Sequence, residues 1–323
     1  MLSIDELVKA TPLLGTELTG HGARYVGKVR DVYDRGDSLL LVSTDRFSAF
    51  DRVLGAIPYR GQVLNQLSAW WFTETSDLVA NHVIDVPDPN VTLARKAEAL
   101  PVEVIVRGYI TGVTDTALWT LYSQGVAQPY GLKLPAGLRK NDRLPTPVIT
   151  PTTKAPAGQH DERLSEAEVV AGGHVSAARW AEVREVALAL FARGQARAAE
   201  AGFVLVDTKY EFGTIDGQLV LIDEVHTPDS SRYWTAESYE RALTNDEAPE
   251  GFSKEMLREW FKDQGFSGEG PIPAPPATLL AQAAQRYMTV FERLTGEVFT
   301  PGVLPAAGRI STHVQDLATG VTT

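Results

Sequence analysis

Cysteine is absent from this chain of 323 residues. Its absence excludes disulfide bonds, thiolate metal ligands and a cysteine nucleophile, and it fits the reducing interior of a cell. No apolar run approaches the roughly 20 residues that a membrane-spanning helix needs. The first residues, MLSIDELVKATPLLG, place Asp5 and Glu6 where a secretory signal would be basic, and no apolar stretch follows. These features predict a soluble, cytoplasmic protein. Positive charge is also in short supply: 30 Lys and Arg against 41 Asp and Glu give a net charge of −11. A field of that sign disfavours nucleic acid and anionic membranes as partners. Anionic ligands would have to be held by individual cations inside a cleft.

What is present is an ordinary globular composition, 44% hydrophobic and 22% charged, long enough for one large domain or two modest lobes. Residues 24–34 and 38–43 read as two strands joined by the turn Arg35-Gly36-Asp37. Residues 62–80 place Leu64, Leu67, Trp70 and Trp71 at helical spacing. The run VEVIVRGYI (102–110) is rich in β-formers, whereas 125–162 is dense in Pro, Gly and Thr and reads as a long ordered loop, usually a functional feature. Ser165 with Glu168 makes a capping box for a short helix. Ser176 caps a longer one, with Trp180, Val183, Val186, Leu190 and Phe191 on one stripe as far as Gly202. FVLVDTKYEFG (203–213), the turn Asp216-Gly217 and QLVLIDEV (218–225) form the clearest hairpin. Helices are expected over 253–263 and 277–295, and the polar stretch from Pro305 is expected to fray.

Gly22 to Lys28 spells G-x-x-x-x-G-K, but Val29 stands where a Walker loop needs Ser or Thr, and the flanks alternate like strands. A glycine-containing β-turn with Lys28 reaching nucleotide phosphates needs no helix and stays open; on this segment alone, a solvated surface hairpin is favoured. The hairpin at 203–225 says more. Asp207, Lys209 and Glu211 share one face of their strand, and the returning strand brings Asp223 and Glu224. Carboxylates so placed repel unless a cation lies among them, and hard oxygen ligands suit Mg²⁺. The alternative is a solvated polar face neutralised by Lys209. Arg107 and Arg232 suit bidentate recognition of carboxylate or phosphate, although each alone reads as a surface salt-bridge partner. His160, His174 and His226 lack metal-ligand spacing and read as structural or surface residues.

The blocks GKVRDVY (27–33), STDRFSAFD (43–51), PVEVIVRGYITG (101–112), TPTTKA (150–155) with GQHDE (158–162), VDTKYEFG (206–213) and IDEVHTPDSSRYW (222–234) occur in a definite order. Order and spacing, from about Arg24 to about Gly296, resemble the signature blocks of the SAICAR synthetase family, in its long single-chain form. The resemblance implies an α+β fold of two lobes related to protein kinases and ATP-grasp ligases, with a β-rich nucleotide-covering lobe over 1–105. The larger lobe, 106–323, would carry the substrate and metal site and the C-terminal helices. It further implies ATP-dependent joining of L-aspartate to the carboxylate of carboxyaminoimidazole ribonucleotide through an acyl phosphate. Both of these and ATP would be the small-molecule partners, with Mg²⁺ as cofactor; the oligomeric state is left open, with a monomer as the default.

By the same likeness, Gly27, Lys28, Val29 and Arg30 would cover the ATP phosphates, Lys154 would contact the nucleotide, and Glu211 with Asp223 would hold Mg²⁺. Arg107, Asp207, Lys209, Ser231 and Arg232 would grip the ribonucleotide, with Ser48 and Asp51 near the acceptor pocket. Lys28, Lys154, Arg107 and Asp207 would form the catalytic set. Two positions depart from the family pattern: Val113 replaces a serine that touches the ribonucleotide phosphate, and Ser253-Lys254-Glu255 replaces DKQ. The rival readings are a small-molecule kinase on a related scaffold, which would not need aspartate, and a nucleotide-binding protein without turnover. A two-residue turn at Asp216-Gly217 would set Glu211 opposite Ile222 and leave Asp223 on the other face. Because the resemblance brings Glu211 and Asp223 to one metal, an extra residue is expected in the hairpin. A bulge at Gly213 or a three-residue turn would supply it and break the ladder between Phe212 and Gly217.

Overall fold

A computed structural model describes residues 1–50, 52–114, 116–154, 161–245, 247–252 and 254–318. In chain order the strands are β1 (Ala23–Val26), β2 (Arg30–Asp34), β3 (Ser38–Ser43), β4 (Arg46–Ala49), β5 (Arg52–Ala56), β6 (Val83–Asp88) and β7 (Val91–Arg95), followed by β8 (Glu98–Tyr109), β9 (Arg143–Ile149), β10 (Thr152–Thr153), β11 (Phe203–Ile215), β12 (Gln218–Ile222) and β13 (Ser231–Thr235). The principal helices are α1 (Ile4–Lys9), α2 (Arg60–Glu74), α3 (Leu118–Ser123), α4 (Glu166–Ala171), α5 (Ala177–Glu200), α6 (Ala236–Asn245), α7 (Glu255–Asp263), α8 (Ala277–Thr295), α9 (Ala306–His313) and α10 (Gln315–Ala318). Strands β1-β2-β3-β7-β6 form one antiparallel sheet. A second, six-stranded sheet is built around β8 and β11, and β4 and β5 make a small ribbon. Among the described residues no helix is long and apolar enough to cross a membrane.

The segment expected as one strand over 24–34 is two. Gly27-Lys28-Val29 turns the chain, with the Gly27 amide donating to the Arg30 carbonyl at 2.8 Å. Part of the expected loop over 125–162 is also regular structure, because β9 pairs with β8 and β10 closes on β8 beside it. Helix α2 lacks a side-chain cap of its own; Asp45 accepts from the Gly61 amide at 2.8 Å instead. A side chain at Gly61 would place its Cβ 2.2 Å from the Ser43 carbonyl oxygen, so glycine lets α2 lie directly on the end of β3. The main core packs α2, α5 and α8 onto the six-stranded sheet through Trp71, Phe191, Tyr210, Phe212, Tyr233 and Tyr287, all buried.

Two expectations are corrected. First, the 203–225 hairpin has a plain two-residue turn: Asp216 and Gly217 take φ of 53° and 76°, and the ladder runs unbroken from Ile215 opposite Gln218 to Glu211 opposite Ile222. The irregularity lies on the other side of β11, where Glu211 faces Glu103 but Gly213 faces Ala99. Gly213 serves that close approach, since a Cβ there would lie 2.9 Å from the Glu98 carbonyl oxygen. Asp223 crosses over by a different device. Strand β12 ends at Ile222, and Asp223 takes a left-handed φ of 69°, which an Asp tolerates and which ends the alternation.

Second, residues 305–318 of the stretch from Pro305 are ordered against the core rather than frayed. In α9, Ala306 and Ile310 pack with Val314 against Tyr33, Leu40, Val42 and Val91 of the five-stranded sheet. Arg309 reaches Asp88, a fully buried carboxylate, with Nε and Nη2 at 2.9 and 3.1 Å, and His313 approaches it at 2.8 Å. Polar residues in this stretch serve a buried partner rather than solvent. Removing one member of a buried pair strands the other charge, so Arg309→Ala is expected to lower stability by about 3 kcal/mol. Urea unfolding checks this, and a loss under about 0.5 kcal/mol, the scale of an ordinary surface substitution, would mean that the tail contributes nothing.

Candidate active site

Three neighbouring strands set one row of charges. In β8, β11 and β13, Asp207 stands opposite Arg107 on one side and Arg232 on the other. Asp207 Oδ2 accepts from Arg107 Nη1 at 2.9 Å and also from Arg232 Nη1, while Arg107 Nε donates to Thr150 Oγ1 at 2.8 Å. Burial works against the Arg232 charge, but Asp207 and Glu255 more than restore it and raise the guanidinium above its ordinary range. Arg107, Asp207 and Arg232 line a cavity of about 950 Å³, which Ser231, Lys209 and Lys254 also line. Thr114 and Thr116 reach this cavity, whereas Val113 is not among its lining residues. Phe50 and Arg52 line it too; Ser48, half-buried in β4 opposite Val53, does not. Asp51, Ser253 and the stretch 155–160, with Gly158, Gln159 and His160, lie outside the described residues.

A second charged group lies two residues further along β11. Lys209 Nζ donates to Glu103 at 3.0 Å, to Glu211, and to Asp223 at 3.4 Å. The facing of Glu211 and Glu103 follows from the β8–β11 register. Lys154 pairs with Glu211, and Arg30 pairs with Asp223 and lies 3.7 Å from Glu224. Burial alone would raise the Asp223 carboxyl, but Arg30 and Lys209 hold it well below the carboxylate range. Burial likewise opposes the Lys209 charge, and Glu211 and Asp223 overcome it, raising that ammonium far above the usual value. Glu224 takes another partner, the Thr227 hydroxyl, and burial raises its carboxyl. Asp223 therefore shares a cation with Glu211, and Glu224 does not. Among the described residues no group of three or more His, Asp or Glu has the arrangement of a self-sufficient metal site. Glu211 and Asp223, which share the Lys209 ammonium with Glu103, would fit an ion that takes most of its shell from elsewhere.

Gly27, Lys28 and Val29 form the turn between β1 and β2, with Lys28 exposed. Arg30, the next residue, directs its guanidinium at Asp223.

Sequence reasoning missed a buried network in the wall of the cavity. Asp229 accepts from Arg60 Nη2 at 2.6 Å, from the Tyr287 hydroxyl, and from Lys254 at 3.4 Å. Burial lowers the Lys254 ammonium, an effect that Asp229 only partly offsets and that Arg258 and Arg60 reinforce. Arg60 opens α2 and Tyr287 sits among apolar residues of α8, so neither carries a local sign of its role. Beneath lies His226, fully buried: its ring stands edge-on to Trp71 at 4.4 Å, Nε2 meets the Tyr210 hydroxyl, and its carbonyl accepts from Tyr233 at 2.6 Å. It is structural, and burial pushes its pKa down to about 3.

A SAICAR synthetase family profile matches residues 23–272. The chain belongs to the SAICAR synthetase family. Phosphoribosylaminoimidazole-succinocarboxamide synthase of Legionella pneumophila is 49% identical over 300 residues, covering 91% of this chain and 95% of that protein. The chloroplastic synthase of Arabidopsis thaliana is 48% identical over 91% of this chain and 71% of its own length. Among solved structures, the SAICAR synthase of Saccharomyces cerevisiae in complex with SAICAR superposes with a TM-score of 0.77 at 32% identity, covering 90% of this chain and 100% of that one. The α+β architecture described above is thus the SAICAR synthetase fold.

The buried histidine makes stability pH-dependent. An unfolded histidine binds a proton near pH 6.5, whereas folded His226 resists one down to about 3. The unfolded state therefore holds more protons in that window, and stability present above pH 6.5 is lost as pH falls through it, at up to about 1.4 kcal/mol per pH unit. Urea midpoints between pH 7.5 and 5 should fall in the wild type and fall less steeply in His226→Gln. Equal slopes would refute the assignment.

Proposed function

We propose that the large cavity takes carboxyaminoimidazole ribonucleotide and L-aspartate, that ATP lies under the Gly27–Arg30 turn, and that the chain joins the two substrates by an amide bond, releasing ADP and phosphate. The observation that carries this reading is the placement of Asp207, Lys209 and Glu211 on one face of β11. Residues four apart on a strand lie about 13 Å from one another, so an anion-gripping arginine row at Asp207 and a carboxylate pair suited to a metal at Glu211 share one face of one rigid element, with Lys209 midway. Such spacing suits an acceptor carboxylate held beside a triphosphate.

The chemistry takes two displacements. An acceptor carboxylate oxygen attacks the γ-phosphorus of ATP and ADP leaves, giving an acyl phosphate. The aspartate amine then attacks the acyl carbon, phosphate leaves with the bonding pair, and the amine loses a proton. Arg107 and Arg232, fixed by Asp207, orient the acceptor, and much of the rate comes from that positioning. Lys28 and Lys154 stabilise charge on the transferred phosphoryl group. Glu211 and Asp223 would hold Mg²⁺, which supplies further neutralisation of phosphate charge when bound. Thr114, not Val113, stands where a hydroxyl could meet the ribonucleotide phosphate. We place the lobe division at 105/106, within β8, which ties the two lobes covalently and by sheet pairing. The protein works in the cytoplasm on small molecules, in keeping with its net charge of −11.

Two measurements test this. ADP release from ATP and the ribonucleotide should reach its full steady rate only with aspartate present; a rate independent of aspartate would indicate a kinase instead. Lys28→Ala should raise the ATP KM or lower kcat by about tenfold, or about 1.4 kcal/mol. A folded variant with unchanged ATP kinetics would remove Lys28 from the site.

A further inference from the structure

The block STDRFSAFD contributes something other than contact with the acceptor. Arg46 lies behind the turn at 27–29 and donates to its carbonyls: Nη2 to Gly27 at 2.9 Å and Nε to Lys28 at 3.3 Å. Thr44 takes the next one, with Oγ1 at 2.7 Å and its amide at 3.1 Å from the Val29 carbonyl oxygen. Three successive carbonyls are thereby engaged by the segment Thr44–Arg46. In a planar trans peptide the C=O of one residue and the N–H of the next point in opposite directions. The amides of Lys28 and Val29 are therefore turned away from Arg46, and that of Arg30 away from Thr44, on the side where an anion could meet them.

The brace itself is held at both ends. Arg46 Nη2 also donates to Asp31 Oδ1 at 3.0 Å, and Asp31 is fully buried, with Arg24 on its other oxygen at 3.0 Å. From below, Arg60 Nη1 donates to the carbonyls of Thr44 and Arg46 at 3.0 and 2.7 Å, while its Nη2 holds Asp229 of the acceptor cavity. The planar guanidinium presents its donors in fixed directions, so that Arg46 reaches two adjacent carbonyls and a carboxylate through two separate nitrogens, whereas the donors of an ammonium all share one.

We propose that Arg46, assisted by Thr44, is a positioning residue that aims the amides of the Gly27–Arg30 turn at the phosphates of the bound nucleotide. The inference rests on the nucleotide placement given under the proposed function. Arg46 touches no reacting atom; it acts through the backbone it holds. Its removal should therefore affect the phosphate-bearing part of the ligand and spare the nucleoside.

Calorimetric binding of ADP and of adenosine, both with magnesium chloride, tests this on the full chain. Arg46→Lys should weaken ADP by about tenfold, near the lower end for hydrogen bonds to a charged group, and Thr44→Val by about threefold, the scale of a neutral one. Adenosine should change less than about twofold in either, since it makes no such bond. Should Arg46→Lys fail to fold, Thr44→Val carries the test alone, because it removes a hydroxyl while keeping the shape. Equal losses for ADP and adenosine would reveal a general scaffold role and overturn the proposal, as would unchanged ADP affinity. Lys28→Ala separates the two levels. If it weakens ADP while the Arg46 and Thr44 variants do not, only this inference falls; if it too leaves ADP binding intact, the nucleotide placement falls with it.

Discussion

Three carboxylates, Glu103, Glu211 and Asp223, converge on the ammonium of Lys209. Burying any of them alone would cost several kcal/mol, and burying them together without a cation would add mutual repulsion. The ammonium offsets both effects, and it lets β11 run through the middle of a sheet while showing charge on one face. Asp207 lies two residues before Lys209 and Glu211 two after, so the arginine row and the carboxylate pair inherit their spacing from the pleat. A site built on a central strand is more rigid than one built on loops, which suits a reaction that depends on holding two anions at a set separation.

Arginine does most of the long-range joining. Arg60 connects α2 to Asp229 and to the backbone at Thr44 and Arg46; Arg46 connects that backbone to the turn at 27–29; Arg30 connects the same region to Asp223. Each guanidinium has several donors in fixed directions, so each can serve two structural elements at once. Helix α2 can take part because Gly61 allows it to lie against β3. The same device recurs at the C-terminal end, where Arg309 secures α9 to Asp88. Consequently the five-stranded sheet is covered by residues from the far end of the chain.

How much of this could be read beforehand depends on the range of the forces involved. The alternation of Asp207, Lys209 and Glu211, the Asp216-Gly217 turn and the helical stripe ending before Gly202 are local patterns, and the structure has them where they were expected. The family blocks carried the fold class and the arginine row across strands that local patterns cannot align. The bulge at Gly213 was a wrong solution to a real conflict. A two-residue turn and convergence of Asp223 with Glu211 were incompatible only if β12 continued through Asp223, and it ends one residue earlier. The tail from Pro305 misled for a related reason: polar composition reads as solvent-facing unless a buried partner such as Asp88 is known.

The sequence by itself therefore determined what period and composition encode: strands, helices, turns, the absence of thiol chemistry, and the charged face of β11. Tertiary structure alone decided which charges meet. Arg60 and Asp229 are 169 positions apart, and Arg309 and Asp88 are 221 apart. A strand's periodicity is set by the geometry of its own backbone. The state of a buried charge is set by whatever the fold brings within a few ångströms, and no local pattern records that.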